Sequence, residues 1–152
     1  MGTSTSPDPA AAHTLSEPRV REIFDQYLQA WNDHDGPAAA YMAEDAVYED
    51  VAAAQVRRGR DEIASWVAEG AGFSSDLHLE AVTFFYLGSA YAVEWVMSGT
   101  NDGPVGGQPA TGRPWRVRGA SVGTLNAEGL IAENRDYWNM AEVLAQIGLT
   151  PG

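Results

Sequence analysis

Asp136 lies in the run Arg135-Asp136-Tyr137-Trp138, within the second of two alternating segments, residues 115–125 and 130–138. Asn126-Ala127-Glu128-Gly129 joins them, and alternation across a short glycine-containing loop predicts an antiparallel hairpin. If Leu125 pairs with Leu130, Ser121 stands opposite Asn134, Gly119 opposite Asp136 and Val117 opposite Trp138, all on one face. That face combines a carboxylate, an amide and a hydroxyl with two glycines, Gly119 and Gly123. Glycine inside a strand often marks close approach of a ligand or of another backbone. The face therefore reads as the wall of a polar-bottomed cavity, with Gly119, Ser121, Asn134 and Trp138 contacting substrate. The opposite face, with Arg118, Val122, Glu133, Arg135 and Tyr137, reads as a polar-rimmed homodimer contact on the outside of the sheet. A one-residue slip reverses the faces and leaves Asp136 in solvent beside an arginine.

Tyr48 and Asp50 are two apart on an extended segment and share a face. Spacing does not decide whether that face or the alternative set Val47, Glu49 and Val51 points inward. If Asp50 joins Asp136 in one apolar cavity, mutual repulsion and burial separate their proton affinities, so one can act as acid while the other acts as base. Tyr48 would then donate a hydrogen bond to developing oxyanion charge.

What the chain lacks narrows the chemistry further. Its 152 residues suit a single domain, and 45% hydrophobic content supplies a core. There is no cysteine, so disulfides, thiolate metal sites and thiol nucleophiles are excluded. All nine basic residues are arginine, which excludes Schiff-base chemistry, pyridoxal phosphate attachment and a lysine-bearing phosphate loop. A net charge of −12 repels nucleic acid and anionic membranes. The expected partner is a hydrophobic small molecule, with neither nucleic acid nor membrane involved. Residues 1–12 carry no basic start and no apolar run, and the longest apolar stretch, residues 81–96, is interrupted, so a cytoplasmic location is expected.

Residues 1–14 read as a disordered tail and 15–152 as one α+β domain. Ser16 is a fitting N-cap, with Pro18 in the first turn, for an amphipathic helix bearing Val20, Ile23, Phe24, Tyr27, Leu28 and Trp31. The segment Asn32-Asp33-His34-Asp35-Gly36-Pro37 ends it. A short helix over 38–43 and an extended piece over 46–51 follow. Gly59 and Asp61 open a third helix carrying Ile63, Trp66 and Val67, stopped by Gly70 and Gly72. Alternation then predicts strands over 77–87, 90–99, 115–125 and 130–138, and a last helix over 141–147 closes the chain. Helices first and antiparallel strands after is the order of an α+β domain with helices on one face of a curved sheet. The glycine- and proline-rich stretch 101–114 is the one long loop.

Other signals carry less. His13, His34 and His78 have no second ligand at metal spacing, so no metal is expected. Gly103, Gly106 and Gly107 lack the strand-to-helix context of a dinucleotide fingerprint, and no cofactor is expected. Arg57, Arg58 and Arg60 read as a solvated approach to the third helix. The tryptophans read first as core, a role that overlaps with lining a pocket.

Gln26-Tyr27-Leu28 to Asn32, followed by Tyr41-Met42-Ala43-Glu44-Asp45-Ala46-Val47-Tyr48-Glu49-Asp50, resembles the opening of the nuclear transport factor 2-like superfamily, nearest to ketosteroid isomerase and the SnoaL-like polyketide cyclases. Gly99-Thr100, Pro109-Ala110-Thr111-Gly112-Arg113, Gly129-Leu130-Ile131 and Arg135-Asp136-Tyr137-Trp138 resemble a SnoaL-like ending. The resemblance spans about residues 16 to 150. It implies a cone-shaped antiparallel sheet with helices on its concave face, an apolar cavity between them, and commonly a homodimer. It also implies a cofactor-independent cyclase or isomerase acting on a polyketide- or terpenoid-like substrate.

Residue by residue, Asp50 falls where ketosteroid isomerase has its proton-shuttling aspartate, and Tyr27 where it has its oxyanion tyrosine. Ser121 replaces that enzyme's protonated aspartic acid, so the steroid-type oxyanion hole is incomplete. Limonene epoxide hydrolase, a related member, has a water-activating aspartate in a stretch similar to that of Asp136, and its water-holding Tyr-x-Asn is similar to Tyr48-x-Asp50. Its Arg-x-Asp pair corresponds to Ala92-Val93-Glu94, without the arginine. Asn101 stands where cyclases often have histidine. The implied catalytic set is Asp50, Asp136, Tyr27 and Tyr48, with Trp31, Trp66, Gly119, Ser121, Asn134 and Trp138 as substrate contacts. The other readings are epoxide opening, with Asp136 as base, and a non-catalytic small-molecule binder or scaffold.

Overall fold

The computed structural model describes residues 16–34 and 37–149. The predicted tail, His13, and Asp35 and Gly36 of the predicted turn lie outside the described residues. The first helix, α1 (Glu17–Asn32), starts at the Ser16 cap, whose Oγ accepts from the Arg19 N–H at 3.3 Å. Its buried stripe runs through Val20, Ile23, Phe24, Tyr27, Leu28 and Trp31, the residues picked out by helical spacing. At its end, Asn32 mimics a strand partner. Its Nδ2 donates to the Leu79 carbonyl at 2.9 Å and its Oδ1 accepts from the Leu79 N–H at 2.7 Å, tying the helix to the sheet.

The expected second helix is only a 3-10 turn, Ala38–Tyr41, because Met42 and Ala43 already belong to the strand β1 (Met42–Asp50). A short edge strand that periodicity did not reveal, β2 (Gln55–Arg58), turns back on β1. The helix α2 (Gly59–Phe73) runs through both glycines expected to stop it. Gly70 keeps helical backbone and faces Leu77 and Trp31 with room for a methyl group. A Cβ there would meet both at 3.5 Å. The strands β3 (His78–Leu87), β4 (Ala90–Thr100), β5 (Pro114–Leu125) and β6 (Ile131–Trp138) and the helix α3 (Met140–Gln146) follow where alternation and the final helical pattern put them.

The six strands form one sheet in the order β2-β1-β6-β5-β4-β3. Every pairing is antiparallel except β1 with β6, which is parallel, so the sheet is mixed. Parallel neighbours need a long crossover, here β2, α2, β3, β4 and β5, and a pairing so distant in the chain leaves no local periodic signal. All three helices share one apolar core with the inner face of the sheet, in the expected α+β arrangement. No described helix is long and apolar enough to cross a membrane.

The last hairpin is shifted from the expected register by two residues. Ser121 pairs with Asp136, Gly123 with Asn134 and Gly119 with Trp138. Asn126 tightens the turn, its Oδ1 accepting from the Glu128 and Leu130 N–H groups at 3.0 Å, and an irregularity between Thr124 and Leu125 absorbs the offset. A two-residue shift preserves the pleat, so the inward set Gly119, Ser121, Asn134, Asp136 and Trp138 stays together. The alternative of a solvent-facing Asp136 is thereby overturned. Outside, Arg135 pairs with Glu49 at 3.4 Å, and Tyr137, Val82 and Phe85 are exposed.

Candidate active site

Between the helices and the inner face of the sheet lies a cavity of about 370 Å³. Its sheet side carries Asp50 from β1, Trp95 from β4, Ser121 from β5, and Asp136 and Trp138 from β6. The helix side carries Tyr27 and Trp31 from α1, Trp66, Glu69 and Phe73 from α2, and Val143 from α3. Pro104, Val105 and Gly106 of the 101–114 loop complete it. All five tryptophans of the chain line this space, counting Trp115. The first-choice reading of them as core is thus half the story, since they pack the core with one side and bound the cavity with the other.

Pairing of β1 with β6 sets Asp50 directly beside Asp136 and Tyr48 beside Asn134. This parallel register settles which face of β1 points inward: Ala46, Tyr48 and Asp50 are buried, and Glu49 lies outside with Arg135.

Asp136 is held by three neutral donors. Ser121 Oγ donates to Oδ1 at 2.5 Å, Asn134 Nδ2 donates to the same oxygen at 2.8 Å, and the Tyr48 hydroxyl donates to Oδ2. Each of two donors is itself oriented from β4. Trp95 Nε1 donates to Ser121 Oγ at 2.8 Å, and the Tyr91 hydroxyl donates to Asn134 Oδ1 at 2.7 Å. Desolvation raises the Asp136 carboxyl to about 6, while the three hydrogen bonds pull it down and the neighbouring Asp50 charge pushes it further up.

Asp50 is buried too, with Trp138 Nε1 donating to both oxygens at 3.1 and 3.0 Å and the Ala53 N–H donating to Oδ1 at 2.9 Å. Burial raises its proton affinity, and the indole and backbone donors oppose the rise. Among the described residues neither carboxylate has a cationic partner: the ion pairs join Arg19, Arg57 and Arg135 to glutamates. Tyr27 lines the cavity with its phenol kept protonated, its acidity suppressed by burial and then by the charge of Asp136.

The structure brings Asp50, Asp136, Tyr27, Trp31, Trp66, Ser121 and Trp138 to one cavity, and it puts Tyr48, Asn134 and Gly119 behind its wall. Tyr48 and Asn134 spend donors on Asp136 and so hold that carboxylate in place. Gly119 makes room for protein: a Cβ there would lie 2.3 Å from the Trp95 ring and 2.8 Å from the Tyr137 carbonyl. Gly123 likewise gives way to the Tyr91 phenol, 2.4 Å from where its Cβ would be. These cross-strand pairs, Trp95 over Gly119 and Tyr91 over Gly123, aim the polar tips of both aromatics at the holders of Asp136. Sequence reasoning missed Trp95 and Tyr91, although a Tyr-x-x-x-Trp spacing facing a Gly-x-x-x-Gly spacing on the next strand was a readable signal.

On β4 the inward residues are Tyr91, Val93 and Trp95, and Glu94 is exposed on the outer face. No charged pair of the Arg-x-Asp kind therefore stands on this strand's inner side. Asn101 is buried where it organises the loop, its Nδ2 donating to the Gly103 carbonyl at 2.7 Å and its Oδ1 accepting from the Thr111 N–H at 2.8 Å. Among the described residues no group of three His, Cys, Asp or Glu side chains is placed to hold a metal.

The fold is thus an α+β domain in which helices and the inner face of a mixed sheet bound an apolar cavity that carries two carboxylates. The SnoaL-like domain matches residues 24–134, and the chain belongs to this family within the nuclear transport factor 2-like superfamily. The fold is similar to a protein with a ketosteroid isomerase-like fold from Catenulispora acidiphila, solved in complex with trimethylamine, at 25% identity over 84% of this chain and 93% of that one, with a TM-score of 0.73. It is also similar to a SnoaL-like polyketide cyclase homologue from Jannaschia sp. CCS1, at 18% identity over 99% and 100% of the two chains and a TM-score of 0.77. The epoxide hydrolase/cyclase-like SalBIII of salinomycin pyran-ring formation aligns at 22% identity over 84% and 95%, with a TM-score of 0.71. No curated protein sequence matches the chain at a significant level.

Proposed function

We propose that this protein is a cofactor-independent enzyme that moves protons on a hydrophobic small molecule, as a cyclase or isomerase of the SnoaL-like kind. The observation that carries the reading is Asp136: a carboxyl raised to about 6 by burial, facing an apolar cavity and locked by three donors. A proton carrier works best when its pKa lies near the working pH, because both its forms are then accessible. Near neutrality Asp136 is mostly ionised and takes a proton from a carbon acid, a hydroxyl or a water. Its conjugate acid is strong enough to give the proton back at another atom. Tyr27, protonated and on the opposite wall, donates to the oxygen on which negative charge collects. Asp50, beside Asp136, is the second member of the acid–base pair, and the indole of Trp138 fixes its plane.

The test is substitution of each carboxylate by its amide. Asp136→Asn and Asp50→Asn are expected to keep the fold and hold ligand affinity for a neutral substrate within a few-fold, while turnover drops by about 10²- to 10⁴-fold. Running the reaction in oxygen-labelled water separates the chemistries: an epoxide hydrolase carries the oxygen label into product, and an isomerase or intramolecular cyclase need not. Near-native turnover in Asp136→Asn with a verified substrate would overturn the assignment. If no candidate is turned over and both variants alter only affinity, the protein is a binder.

A further inference from the structure

We propose that the ligand of this cavity is an organic cation, a tertiary or quaternary ammonium group on a hydrophobic body. The inference rests on the reading of the cavity as the substrate site and deepens it by naming the charge of the molecule that fits.

The charge inventory of the wall is one-sided. Asp50, Asp136 and Glu69 are its ionisable carboxyls, and among the described residues no arginine or histidine lines it. Glu69 is answered by Arg57 at 2.9 Å, with that guanidinium stacked 5.1 Å over Trp66. Asp50 and Asp136 are answered only by neutral groups: an indole, two hydroxyls, an amide and a backbone N–H. Hydrogen bonds from neutral donors lower the desolvation cost of a carboxylate without cancelling its charge. A cation entering the cavity supplies the missing countercharge at short range in a medium that screens poorly, whereas an anion meets repulsion from both carboxylates.

The rest of the wall favours the same ligand. Five tryptophans together with Tyr27 and Phe73 line the space, and the negative faces of aromatic rings attract alkylammonium groups when water is excluded. The volume of about 370 Å³ lies within the range of small-molecule sites. The groups that face Asp136 from other elements are Asp50 on β1, Tyr48 on β1, Tyr27 on α1 and Tyr91 on β4. The tyrosines stay neutral, since burial raises all three. With Glu69 balanced by Arg57, Asp50 and Asp136 set the net charge of the cavity, and cation binding strengthens as pH rises through the Asp136 transition near 6.

Calorimetric titration of the intact chain with three probes of similar shape tests this: trimethyl(3-phenylpropyl)ammonium, 4-phenylbutan-1-ol and 4-phenylbutyrate. At pH 8 the cation is expected to bind at least about tenfold more tightly than the alcohol, with the carboxylate weakest. At pH 5 the advantage of the cation should shrink to within about threefold as Asp136 takes up a proton. Asp136→Asn should reduce the ratio of cation to alcohol affinity at pH 8 to within about threefold. Equal or tighter binding of the alcohol at pH 8, comparable binding of the carboxylate, or binding of none of the three overturns the inference. Cation selectivity alongside undiminished turnover in the Asn variants would keep this inference and remove the acid–base reading. Lost turnover without cation selectivity would do the reverse.

Discussion

The two sides of the cavity are built by different physics. On the sheet side, polar groups stand in a connected set: Trp95 holds Ser121, Tyr91 holds Asn134, and Ser121, Asn134 and Tyr48 hold Asp136. On the helix side, Leu28, Trp31, Phe73, Val143 and Leu144 meet the space through apolar packing. A hydrogen-bonded set on a sheet has one low-energy arrangement, because breaking any member leaves a buried polar group unpaired. Apolar packing tolerates shape change more readily when volume is kept. The difference teaches that the strands hold the carboxylates in a fixed hydrogen-bonded frame, whereas the helix side is shaped chiefly by apolar packing.

The largest break of that contrast is Trp95→Ala. The indole fills the space above Gly119 and orients Ser121, so its removal is expected to cost about 3–5 kcal/mol, read from the denaturant midpoint. A loss below about 1 kcal/mol would show that the strand side is not held through this pair.

Next in size is the pH dependence of stability. The folded-state pKa of Asp136 is raised above that of the unfolded chain, so its contribution is fully favourable below pH 4 and is lost as pH climbs through about 6. The loss amounts to roughly 2–3 kcal/mol over that window. Asp50 acts in the same direction. Thermal unfolding at steps between pH 4 and 7 should show the decline, and Asp136→Asn should flatten most of it. An unchanged slope in that variant would place the titrating group elsewhere.

The smallest effect belongs to the opposite side. Val105→Ala, in the loop, is expected to change stability by no more than about 1 kcal/mol. It should shift KM for a bulky substrate several-fold and leave the pH profile of kcat in place. A moved pH profile would mean that the loop reaches the electrostatics of Asp136, and the division between the two sides would fail.

Periodicity located α1, α2, α3 and four of the six strands to within a few residues, since each presents one face to the core and the pattern of that face is local in the chain. The alternation of the last hairpin also grouped Ser121, Asn134, Asp136 and Trp138, and this grouping survived a two-residue error in register because the pleat repeats every two. Gly70 and Gly72 misled as helix stops, because neither adopts the positive φ of a helix-ending glycine and an interior glycine costs a helix only about 1 kcal/mol. The four-residue β2 was invisible for its shortness.

By itself, then, the sequence determined the three α-helices and the four later strands, the exclusion of thiol and lysine-amine chemistry, and the acidic character of the molecule. Only the tertiary structure decided that Asp50 stands beside Asp136, since a parallel pairing between strands more than eighty residues apart is settled by the packing of everything between them. It also decided that Tyr48 and Asn134 serve the carboxylate from behind and that Gly119 yields its space to Trp95. A hydrogen bond or a cross-strand contact is a relation between distant positions, fixed when the sheet closes and the helices bury its inner face.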